Sequence, residues 1–110
     1  MEPIISVYLG AGLIVSLCSI PMIMERVPPN RLVGFRTPRT LSDPKVWYSA
    51  NRIAGQYLAG AGVLIMCAAG TVSILQKSIS TQAASVTLMA LSLGALAAAT
   101  GLSFLALRRL

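Results

Sequence analysis

PPNRLVGFRTPRTLSDPKVWYSANRIAG, residues Pro28 to Gly55, is the stretch on which the reading of this chain turns. It carries Arg31, Arg36, Arg39, Lys45 and Arg52, with Arg26 just ahead of it, out of nine Lys and Arg in the protein. It also holds the only Trp and one of the three acids, Asp43, with a second, Glu25, at its edge. On both sides the chain is apolar and almost uncharged. Specific chemistry is therefore to be sought here, and the remainder read as its mounting.

The composition sets the solvent. A chain of 110 residues that is 55% hydrophobic, with a mean hydropathy of +0.76, is too apolar for a soluble domain of that size. Ile4 to Met24 is an uncharged run long enough to cross a hydrocarbon core of about 30 Å as a helix. Glu2, with no Lys or Arg before the run, argues against a cleaved signal peptide. Two further apolar runs cover about 53–75 and 83–107, joined by the short polar link Gln76 to Gln82, which makes them antiparallel neighbours. The expectation is one all-α membrane domain over residues 1–110, with three transmembrane helices (4–24, 53–75 and 83–107) and a basic cytoplasmic loop, 25–52, between the first and second. In the third span, Ala90, Gly94 and Ala98, and likewise Ala97 and Gly101, recur at intervals of four and predict close helix packing.

Charge fixes the expected orientation. Six cations lie in the first connection and Arg108 and Arg109 at the far end, whereas the N-terminus has none and the second connection only Lys77. Positive flanks stay inside, so the N-terminus is expected outside and the C-terminus cytoplasmic, in a multi-pass protein of the plasma membrane. The net charge of +6 and pI near 10.2 do not indicate nucleic acid, because the cations sit between apolar spans instead of covering one soluble face.

Catalytic chemistry has little to work with. There is no His, and Glu2, Glu25 and Asp43 are the only acids, so neither a His-based triad, a carboxylate dyad nor a His-containing metal site is supported. Cys18 and Cys67 differ in depth by about 12 Å if their spans are antiparallel, too far for a disulfide. The expectation is a non-enzymatic protein without cofactor, metal or catalytic residues.

Topology accounts for the positive charge of the loop but not for its other residues. Pro28-Pro29 stops the first helix, and Ser42 or Asp43 can cap a helix that starts at Pro44 and continues into the second span. Pro21 is placed to kink or finish the first span. On the second helix Trp47, Asn51 and Gly55 share one face, with Tyr48, Arg52 and Gln56 in the row beside it. Trp47 and Tyr48 are expected at headgroup depth, and Asn51, Arg52 and Gln56 at the mouth of the span. Arg52 either snorkels to lipid phosphates or pairs with Asp43, Glu25 or an anionic ligand. Gly55 is expected to admit a loop folded back on the helix start.

Pro29-Asn30-Arg31, then Gly34-Phe35-Arg36-Thr37-Pro38 and Thr40, then Asp43, Trp47, Asn51-Arg52 and Gly55 resemble the sequence block of the SdpI family of small membrane proteins. The resemblance implies immunity to a secreted toxin, and signalling in which the membrane protein holds a cytosolic repressor at the membrane. It also carries over Asn30, Gly34, Phe35, Arg36, Thr37, Trp47, Asn51 and Arg52 as the functional or fold-defining core of the block; with Arg31 and Arg39 of the same basic loop, these are the candidates for binding a partner or an anion. Membrane lipids, a peptide toxin, a cytosolic regulator, other membrane subunits or a second copy are the partners to consider. A small oligomeric transporter or lipid-handling protein, or an accessory subunit of a larger membrane complex, is the alternative. The absence of acids from the spans counts against proton-coupled transport.

Overall fold

A computed structural model describes residues 2–30 and 34–110. Four helices follow in order: α1 (Glu2–Ile23), α2 (Pro38–Ser42), α3 (Pro44–Leu75) and α4 (Thr81–Leu107). The protein is all-α, and α1, α3 and α4 are each long and apolar enough to cross a membrane. The long axis of 51 Å reflects α3, whose 32 residues rise about 48 Å.

Each helix ends where the local chemistry dictates. Pro21 lies inside α1, which runs on two residues beyond it. The chain then turns through Glu25 at φ 59. The Glu25 amide donates to the Met22 carbonyl and the Arg26 amide to that of Pro21, the paired bonds of a Schellman stop, here with a non-glycine residue in the left-handed position. At the start of α3 it is Asp43, not Ser42, that caps: its Oδ1 accepts the Lys45 amide at 2.9 Å, with Pro44 in the first turn. The link after α3 closes when the Ser80 hydroxyl accepts the Ala83 amide at 3.1 Å.

The tightest helix contact is between α1 and α3, a different place from the one the small residues of the third span suggest. Ile5, Gly12 and Ser19 on α1, and Gly55, Gly62 and Ala69 on α3, are all buried, and each set repeats every seven residues. Such a period keeps one seam in register along two helices. A Cβ on Gly12 would lie 2.6 Å from the Gly62 carbonyl oxygen, and one on Gly62 equally close to that of Gly12, so the backbones meet directly. Gly55 belongs to this seam: a Cβ there would meet the Ser19 carbonyl at 3.0 Å, so its neighbour is α1 and not the returning loop. On α4, by contrast, Ala90, Gly94, Ala97, Ala98 and Gly101 are exposed. There the expectation of packing fails, because α4 turns Ala84, Leu88, Ser92, Ala99 and Ser103 to the core instead. Cys18 and Cys67 are free and exposed.

The pairing of Gly55 with Ser19 and Ile23 sets the level at which α1 stops. α1 continues four residues past Ser19 to about the level of Asn51, so the seven residues of α3 before Asn51 extend about 10 Å beyond the end of α1. The loop folds around this projecting segment, at the basic end of the molecule.

Candidate functional site

The site is built on the projecting turns of α3. Trp47 and Asn51, one turn apart, are 0% and 1% exposed. Burying indole and carboxamide groups is costly unless their polar atoms are paired. Both are paired with the loop. Trp47 Nε1 donates to the Val27 carbonyl at 2.7 Å. Asn51 Oδ1 accepts the Phe35 amide at 2.6 Å, and its Nδ2 donates to the Phe35 carbonyl at 3.3 Å and to the Trp47 carbonyl at 2.9 Å. The two residues thus hold both ends of the loop: Val27 as it leaves α1, and Phe35 as it approaches α2.

Gly34 is what allows so close an approach. Its φ is +109, which favours glycine. A Cβ there would sit 2.7 Å from Asn51 Oδ1 and 3.2 Å from the Trp47 ring. Thr37 then caps α2 reciprocally: its Oγ1 accepts the Thr40 amide at 3.1 Å, and its own amide donates to Thr40 Oγ1 at 2.7 Å. Thr40 is fully buried.

The loop also grips α4. The Phe35 ring packs edge-to-face on Phe104 with centroids 5.0 Å apart. Arg39 Nη1 donates to the Leu107 carbonyl at 2.7 Å, which also accepts the Leu110 amide at 3.1 Å, so a cation sits at the C-terminal end of α4 where the helix dipole favours it. Beneath the loop lies a cavity of about 200 Å³ between Met22 of α1, Gly34 and Phe35, Ala54 and Leu58 of α3, and Ala99, Thr100 and Ser103 of α4. The Ser103 hydroxyl is turned away to the Ala99 carbonyl at 2.7 Å, which leaves the cavity predominantly apolar.

Of the residues singled out in the sequence, Gly34, Phe35, Trp47 and Asn51 come together in one cluster, Thr37 and Arg39 anchor its flank, and Asn30 donates to the nearby Pro28 carbonyl at 2.7 Å. Trp47 and Asn51 occupy a buried face where the sequence suggests headgroup and mouth positions. Arg36 and Arg52 stand apart, exposed. Arg31 lies outside the described residues. Val27, Phe104 and Leu107 also take part; two act through backbone carbonyls and leave no side-chain signal. Thr40 is legible, in retrospect, from its spacing of three after Thr37. Among the described residues no Lys or Arg forms an ion pair with a carboxylate; Arg26, Arg36 and Arg52 are exposed around the cluster, and Lys45 shares a shallow hollow with Glu25. No group of three or more His, Cys, Asp or Glu that could hold a metal occurs among the described residues.

Three spans and a loop docked on the projecting end of the middle one define a small multi-pass membrane protein. Residues 26–104 match the model of the SdpI/YfhL protein family, and the chain belongs to that family. It is similar to Immunity protein SdpI of Bacillus subtilis (strain 168), 36% identical over 61 residues, which is 56% of this chain and 30% of that protein. The chain thus matches less than a third of the length of this relative. No solved structure matches it.

Proposed function

We propose that this chain is a non-enzymatic immunity protein of the plasma membrane, whose loop faces the cytoplasm and binds an anionic group, carboxylate or phosphate, on a partner such as a peptide toxin or a regulator. One observation carries the reading: the loop is held by two fully buried side chains, Trp47 and Asn51, while Arg36 and Arg52 beside them are exposed and unpaired. Holding cations in place on a fixed backbone lowers the entropy lost when an anion is bound. Guanidinium groups suit carboxylate and phosphate because they donate two parallel hydrogen bonds.

The test is protection of cells. Bacteria expressing the wild-type chain should survive a membrane-active peptide toxin that kills cells carrying the empty vector. Arg36→Ala combined with Arg52→Ala should lose protection with the protein still present in the membrane. Full protection by that double variant would refute the reading.

A further inference from the structure

Ala99 separates two hollows. On one side is the cavity under the loop; on the other, between α3 and α4, runs a trough of about 560 Å³ lined by small and apolar residues, among them Ala59, Gly60, Leu64, Ala95 and Ala98. Toward the basic end it opens into a second hollow of about 420 Å³, which shares Gln56, Tyr57 and Leu102 with it and reaches Arg109. Arg52 lines neither hollow but is exposed one turn before Gln56, in the same row of α3. Neither Arg52 nor Arg109 has a carboxylate partner among the described residues.

An apolar trough that ends in guanidinium, phenol and carboxamide groups has the polarity of one particular kind of molecule. We propose that it seats one acyl chain of an anionic phospholipid, with the phosphate held by Arg109 and Arg52 and assisted by Tyr57 and Gln56. Gly60 makes the depth: a Cβ there would meet nothing within 4 Å. From Gln56 to Leu64 the trough follows α3 for about 12 Å, which a hydrocarbon chain can fill but water, lacking polar partners, does not. The charge decides against a second copy as occupant. Another chain in the same orientation would set its own Arg52, Arg108 and Arg109 against their counterparts, whereas a lipid phosphate neutralises them. This site lies across Ala99 from the loop cavity and shares Arg52 with the anion site proposed for the loop, so the acyl-chain labelling of 56–64 and 95–102, which the loop reading does not affect, is its own readout.

The experiment uses the full chain in nanodiscs of phosphatidylcholine containing phosphatidylglycerol, with a diazirine on the acyl chain of either lipid and the labelled residues mapped by mass spectrometry. Labelling is expected to concentrate on 56–64 and 95–102 and to favour phosphatidylglycerol. Gly60→Leu and Ala98→Leu fill the trough from opposite helices and should each abolish that concentration; two routes to one block guard against one variant failing to fold. Arg52→Gln with Arg109→Gln should keep chain labelling but reduce the preference for phosphatidylglycerol, by about fivefold for each charge removed. Labelling spread evenly over the lipid-facing helices, labelling unchanged in both filled variants, or a disulfide-linked dimer formed by Gly60→Cys in a chain with Cys18 and Cys67 replaced by Ala would each overturn the proposal.

Discussion

Asn51 pairs with Phe35 as one peptide group pairs with another: its carbonyl oxygen accepts the Phe35 amide at 2.6 Å and its nitrogen donates to the Phe35 carbonyl at 3.3 Å. One side chain satisfies both backbone groups of a loop residue that has no secondary structure of its own. Asn51→Ala strands both, at about 1 to 3 kcal/mol for each group left buried. The expected result is a lower melting temperature in detergent and faster tryptic cleavage after Arg36 and Arg39. Asn51→Asp should not rescue, since it retains the acceptor but loses the donors to Phe35 and Trp47. A melting curve superimposable on the wild type would show that the loop is held elsewhere.

Gly34 and Gly94 make a matched pair of controls. Gly34→Ala places a Cβ against Asn51 Oδ1 at a φ of +109, so the loop must shift or strain; the loss should be about 1 kcal/mol or more. Gly94→Ala enters open space within α4 and should gain about 0.5 to 1 kcal/mol from helix propensity. Opposite shifts in thermal unfolding are the expected readout, and equal shifts would contradict both assignments.

The α1–α3 seam predicts a positional effect. Gly62→Val drives a branched side chain into the Gly12 carbonyl, and overpacking of this kind costs about 1 to 3 kcal/mol. Gly70→Val, on the same helix but with nothing within 4 Å of its Cβ, should be tolerated. Comparing the yield of folded protein after extraction with its melting temperature separates the two.

Orientation is open to direct measurement. In a chain with Cys18 and Cys67 replaced by Ala, a cysteine at Ser78 should react with an impermeant maleimide in intact cells, and one at Ser42 only after the membrane is opened. The reverse pattern would invert the topology inferred from the basic flanks.

The sequence carried the membrane architecture well, because uninterrupted apolar runs and a charged connection are properties of single residues summed over a window. It also carried the shared face of Trp47, Asn51 and Gly55, and a helix cap at Ser42 or Asp43, of which Asp43 is the one used. It misplaced what that face meets. Gly55 answers to α1 and not to the loop, since partner choice depends on the register between helices, and Gly34 supplies the close approach instead. The seam of Ile5, Gly12 and Ser19 was present as a seven-residue period but is diluted by other small residues on α1. The small residues of α4 recur at intervals of four, but glycine and alanine at that spacing occur on an exposed helix face as well as at a helix contact. The carbonyls of Val27 and Leu107 were beyond reach, because every residue has one.

Arg39 and Phe35 fasten the loop to the final turn of α4, at Leu107 and Phe104. A ligand that displaces the loop must also release that turn, and a change in the tilt of α4 must alter the affinity of the loop by the same free energy, since coupling between two sites is reciprocal. On the reading proposed for the loop, bilayer thickness, one of the influences on helix tilt, would enter the affinity of the loop for its partner.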